Sequence, residues 1–108
     1  MPASAPLRGQ VYYVDIKDGN GPKFWLVVSN NSRNQKLQEV LVCRITTSPK
    51  PQLPSIIELE PADTPYTGSV LCDDIGILFK EEMDAAHGAL RPSTMARVND
   101  GLRKALAL

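Results

Sequence analysis

Gly21-Pro22-Lys23-Phe24-Trp25-Leu26-Val27-Val28-Ser29-Asn30-Asn31 is a short apolar run with one cation at its mouth and amides at its exit. Residues 24–28 are too few to cross a membrane and rich in aromatic and β-branched side chains, which predicts a strand buried on both faces. Lys23 then stands where a loop feeds a core strand, so a rigid element fixes its backbone while the ammonium reaches water or a ligand. Position alone is satisfied by a solvated strand end as well as by a ligand-facing charge.

On the amino-terminal side, Val11-Tyr12-Tyr13-Val14-Asp15-Ile16 alternates as a strand whose inward face is the one with Val14 and Ile16. Asp18-Gly19-Asn20-Gly21-Pro22 is dense in turn formers and predicts a hairpin loop into the central strand. On the carboxyl side, Ser29-Asn30-Asn31-Ser32-Arg33-Asn34 ends the strand with cap-forming side chains and opens a helical turn through Gln38. Residues 39–48 form the longest β run, stopped by Pro49, Pro51 and Pro54. Further strands are expected over 55–60 and 67–79, the second kinked at Gly76, with a helical turn at 80–83 and a short strand within 85–90. A helix starts at Pro92-Ser93, its apolar stripe being Met95, Val98, Leu102 and Leu106. Many short strands closed by one helix predict a mainly β chain, an SH3-like small barrel or a sandwich.

The chain has 108 residues, enough for one domain with one core, and that domain is expected over 8–108 after a loose tail at 1–7. Net charge is zero, which by itself points to neither nucleic acid nor membrane. Its distribution is uneven: residues 1–52 hold seven Lys and Arg against three Asp and Glu, and residues 53–108 hold five against nine. A basic first half suits an anionic ligand near Lys23, and a solvated mixed surface gives the same split. Cys43 and Cys72 lie inside apolar runs without metal-ligand spacing and read as buried thiols of a cytosolic protein. No window has the apolar length of a membrane span.

His87 is the only histidine, which excludes a two-histidine ribonuclease site and a histidine metal cage. Asp73, Asp74, Glu81, Glu82 and Asp84 lack the alternation and glycine of a calcium loop, and Gly19 and Gly21 precede a strand where a phosphate-cradling loop would precede a helix. Lys23 and Thr46 remain. A cation and a hydroxyl held together can bind a phosphodiester oxygen and stabilise the charge that grows on it.

Arg8-Gly9-Gln10-Val11-Tyr12, residues 22–30, Val42-Cys43-Arg44-Ile45-Thr46-Thr47-Ser48, residues 69–75 and the final helix, taken in order, resemble the MazF/PemK toxins of bacterial toxin–antitoxin pairs. The resemblance implies an SH3-like homodimer that cuts single-stranded RNA without a metal, leaving a 2′,3′-cyclic phosphate and a 5′-hydroxyl. It also implies a cognate antitoxin, contact with DNA only through the antitoxin complex, no cofactor, no membrane partner and a cytoplasmic location. The family's catalytic cation and threonine fall on Lys23 and Thr46; many members carry arginine where this chain has Lys23. Arg44, two residues before Thr46, shares its face in a regular strand and is either a second cation or a solvated neighbour. Asp15 and Asp18 are candidates for the general base. Loop residues Lys17, Asn20 and Gly21, with Thr47 and Ser48, are expected to bind RNA and set its sequence preference, while Trp25 reads as core. The alternatives are a gyrase-binding toxin of the CcdB kind, which shares the barrel, and a catalytically weak module that serves the antitoxin–DNA complex.

Overall fold

A computed structural model describes residues 5–108. In chain order its elements are β1 (Gln10–Val14), β2 (Lys23–Val27), α1 (Asn31–Lys36), β3 (Glu39–Thr46), β4 (Ile56–Glu58), β5 (Ser69–Phe79), β6 (Gly88–Ala89) and α2 (Pro92–Leu106). Short 3-10 turns occupy Pro61–Asp63 and Lys80–Glu82. The six strands form one antiparallel sheet in the order β4-β5-β3-β2-β1-β6, a half-barrel with α2 against it.

β2 lies in the interior of the sheet between β1 and β3, and the alternation of its side chains feeds two separate cores. Leu26 enters a cluster with Val11, Cys43, Ile45, Val70 and Val98, the last from α2. Trp25 and Val27 enter the other, with Tyr12, Val14, Val40, Val42 and Leu78. The strand is therefore buried on both faces, as its composition predicts. Burial on two faces also corrects the reading of β1: Val11 is as buried as Val14, and Ile16 is exposed because the strand ends before it.

α1 begins where the amides predict, with Asn30 accepting from the Arg33 amide at 2.8 Å, but it ends at Lys36, two residues short of Gln38. Of the tail expected over 1–7, residues 1–4 lie outside the described residues. Pro6 is buried, and its carbonyl accepts from Asn34 Nδ2 at 3.1 Å.

The kink expected at Gly76 lies elsewhere. Gly76 pairs regularly with Val42; the irregularity falls between Ile75, opposite Cys43, and Val70, opposite Ile45. In that interval β5 must leave β3 to pair with β4, Leu71 facing Ile56 and Val70 facing Ile57, and the extra residues make the turn. The stripe of α2 holds for Met95, Val98 and Leu102, which pack on the core. Thr94 and Gly101 are buried beside them, and Leu106 alone departs from it, 53% exposed at the helix end. Gly101 allows the close approach, since a Cβ there would sit 2.8 Å from Cys72 Sγ and 3.0 Å from Ile57.

The 60s segment is tied to α2 by Asp63, whose buried carboxylate accepts from Thr94 Oγ1 at 2.7 Å, from the Glu60 amide at 2.8 Å and from Arg91 Nε at 3.2 Å. Burial pushes this carboxyl up, but the bonds from Thr94, the Glu60 amide and Arg91 outweigh it, and its pKa lies below the ordinary 3.8. A depressed folded pKa means stability that is complete above the unfolded value, about 4, and is lost as pH falls through the folded one. Asp63→Asn is therefore expected to be less stable at pH 7 by about 3 kcal/mol and to show a shallower loss of stability below about pH 4, read by denaturant unfolding across pH. Parallel pH profiles for the two proteins would contradict the assignment.

Candidate active site

The β2–β3 register places Phe24 opposite Ile45 and Trp25 opposite Arg44. One step further along, the first residue of β2, Lys23, and the last of β3, Thr46, come to the same end of the sheet. Both line a cleft of about 250 Å³, together with Arg44, Tyr13, Phe24 and the Thr47-Ser48 turn. The two groups singled out from sequence thus share one furrow.

Thr46 is buried, and its Oγ1 accepts from the Ser48 amide at 3.1 Å. That bond uses an acceptor site of the hydroxyl and leaves its proton to be donated. Among the described residues, no carboxylate lies within ion-pair distance of Lys23 or Arg44, and the Arg44 Nε is buried without a hydrogen-bond partner. Two cations and a hydroxyl with unused donor capacity line one cleft, and no carboxylate is among the residues that line it. A ligand rich in acceptor oxygens and negatively charged completes such a site.

Thr47 and Ser48 line this cleft and also a second cavity of about 320 Å³ beside Lys50, Gln52 and Ser69. Lys17, Asn20 and Gly21 stand apart from both, in the β1–β2 loop. Lys17 has a left-handed φ of 63°, with its amide 2.8 Å from Asp15 Oδ1 and its ammonium 3.8 Å from Oδ2. Asn20 donates from its amide and its side chain to Asp18, each at 3.0 Å. Those bonds, the amide's first, lower the Asp18 pKa, and Arg44 adds a smaller pull in the same direction. A carboxylate made less basic and turned toward its own loop is a poor proton acceptor for the cleft.

Sequence reasoning missed Tyr13 and Phe24 as cleft residues. The available signal was an aromatic side chain on the face of β1 opposite Val14, where the expectation of a single inward face leaves polar residues. Trp25 is core, as expected, with Nε1 donating to the Val14 carbonyl at 3.2 Å. Cys43 and Cys72 are free buried thiols, their pKa values raised by burial to about 12 and about 11. Thiolate chemistry is thereby suppressed. No helix among the described residues is long and apolar enough to cross a membrane.

Residues 7–106 match the family described as PemK-like, MazF-like toxin of type II toxin–antitoxin systems. The chain is 43% identical over 105 residues to endoribonuclease MazF1 of Mycobacterium bovis, covering 97% of this chain and 96% of that one, and equally to MazF4 of Mycobacterium tuberculosis. A mycobacterial endoribonuclease solved in complex with its cognate antitoxin superposes with a TM-score of 0.87 at 43% identity, over 96% of this chain and 97% of that one. MazF of Deinococcus radiodurans, at 21% identity and a TM-score of 0.80 over 98% of this chain and 100% of that one, shares the fold. Relatives that are named endoribonucleases set aside the gyrase-binding alternative.

Proposed function

Because the chain belongs to the PemK-like, MazF-like toxins of type II toxin–antitoxin systems, we propose that it is an endoribonuclease that cuts single-stranded RNA, inhibits translation and is held in check by a cognate antitoxin. It works in the cytoplasm as a homodimer, needs no metal, and meets DNA only through the antitoxin complex. The observation that carries the reading is the cleft itself: Lys23, Arg44 and Thr46 line one furrow at adjoining strand ends.

In that cleft the substrate's 2′-hydroxyl gives its proton to a solvent base and attacks phosphorus, and the P–O5′ bond breaks. The products are a 2′,3′-cyclic phosphate and a 5′-hydroxyl. Arg44 and the Thr46 hydroxyl donate to the non-bridging oxygens, where negative charge accumulates in the transition state. The Lys23 ammonium supplies the proton that the departing 5′-oxygen takes up. Thr47 and Ser48 line the adjoining surface over which the neighbouring nucleotides pass, and Lys17, Asn20 and Gly21 belong to a loop that contacts RNA further from the cut.

The test is incubation of the purified protein with a long unstructured RNA in excess EDTA, followed by mapping of cut ends and analysis of their termini. Cutting at a short recurrent sequence is expected, with cyclic phosphate ends, undiminished by the chelator and weakening as salt rises because phosphate contacts release counterions. Activity abolished by EDTA and restored by a divalent ion would remove the metal-free mechanism. Intact RNA under all conditions would favour the binding-only module.

A further inference from the structure

Tyr13 is 54% exposed in the middle of β1, between buried Tyr12 and Val14. It stands directly opposite Phe24, with ring centroids 4.7 Å apart and planes inclined at 45°. Single exposed aromatics are common on protein surfaces, but this pair lines the same cleft as Lys23, Arg44 and Thr46. Behind it, Phe24 is gripped edge-on by Tyr66 at 5.3 Å and His87 at 4.9 Å.

Those two supports are fixed to each other. The hydroxyl of buried Tyr66 lies 2.7 Å from His87 Nδ1, and Gly88 packs so closely on that hydroxyl that any Cβ at 88 would collide with it. Phe24 is thus held from behind, while Tyr13 keeps an open ring face beside two cations and a hydroxyl. An unpaired nucleobase has a π face whatever its identity, and stacks on such a ring while its phosphate is bound electrostatically.

We propose that Tyr13, backed by Phe24, is the platform on which one splayed base of the substrate stacks beside the phosphate bound by Lys23 and Thr46. Tyr66 and His87 are positioning residues that hold Phe24 in place beneath it. The proposal rests on the reading of the cleft as an RNA-cleaving site and names the nucleotide subsite next to the cut.

The cut site mapped on long RNA defines an oligonucleotide that is made uncleavable by a 2′-deoxyribose at the scissile nucleotide. 2-Aminopurine is then placed at one position at a time around it. Stacking quenches its fluorescence, and quenching is expected at one position next to the scissile phosphate in wild type and Tyr13→Phe, and to be lost in Tyr13→Ala. On cleavable substrate, an abasic residue at that position should lower kcat/KM about ten- to a hundredfold in wild type and no more than about twofold in Tyr13→Ala, because ring and base are partners in one interaction. His87→Ala and Tyr66→Phe should raise KM more than they lower kcat and weaken quenching at that same position, which loss of fold stability alone would not do.

An abasic penalty of full size in Tyr13→Ala would overturn the platform, as would unaltered quenching in that variant. If wild type cuts no RNA, the cleavage reading fails, and 2-aminopurine placed in turn along an unstructured RNA that the protein binds still decides the platform through the same quenching. Absence of binding removes both.

Discussion

Replacing Lys23 with methionine is expected to slow RNA cleavage by about a thousandfold, whereas Lys23→Arg stays within about tenfold of wild type. Methionine keeps the unbranched apolar stem of the side chain and removes the terminal ammonium. Lys23 is half-buried, and its ammonium has no hydrogen-bond partner among the described residues, so the substitution orphans nothing and folding should be preserved. The loss then reports chemistry. Arg44 remains in the cleft as a cation, which is why the loss should be confined mainly to whatever Lys23 supplies alone.

Two roles are separable. If Lys23 delivers the proton to the departing 5′-oxygen, a substrate with sulfur at that bridging position should recover most of the Lys23→Met defect, because a thiolate leaves without protonation. If Lys23 only stabilises charge on the non-bridging oxygens, the sulfur substrate recovers nothing. Recovery is the expected result. Thr46→Ala should lose rate on both substrates equally, since its hydroxyl donates to the phosphoryl oxygens, and combining it with Lys23→Met should cost less than the product of the single losses. Wild-type rates in Lys23→Met would remove the assignment outright.

What could be read in advance was set by local chemistry. Phe24 to Val28 announces a doubly buried strand, Asn30 announces a cap and Pro92 a helix start, because each depends on neighbours in the chain. The period of a strand puts Arg44 on the face of Thr46, and both line the cleft. What failed depends on partners far away in sequence. Gly76 predicts a kink because glycine weakens strands, yet the bend belongs to residues 71–74, where β5 exchanges one neighbour for another. Leu106 fits the helical period but lies beyond the reach of the sheet, and Ile16 continues an alternation that has already left its partner. Tyr13 is marked in the sequence as an aromatic opposite Val14, but its place beside Phe24 and Lys23 needs the β1–β2 register, which no local pattern encodes. Sheet registers, more than element types, decide which side chains meet at this site.

The sharpest test of that dependence is Gly68→Ala, which is expected to cost about 3 kcal/mol of stability or more and to abolish cleavage along with it. Gly68 has a φ of +95°, which an L side chain rarely adopts. The strain is compounded by position, because a Cβ there would overlap the Thr46 carbonyl oxygen and lie 2.8 Å from Thr46 C and 2.9 Å from Thr47 Cα. Every one of these atoms is backbone, so no rotamer change relieves the contact. Nor is Gly68 free to retreat: its carbonyl accepts from the Leu59 amide at 2.8 Å, and the next residue, Ser69, is in register with Thr46. Gly19 and Gly21 supply the control, since both also have positive φ but open space around a built Cβ. Alanine there should carry only the conformational cost, about 1–2 kcal/mol. Denaturant unfolding of the three variants separates the terms, and assay of Gly68→Ala well below its unfolding midpoint shows whether the surviving fold still presents Thr46 correctly. Equal losses at 68 and 19 would mean that β5 yields at this point, and the close approach of Gly68 would then have no part in holding the threonine in the cleft.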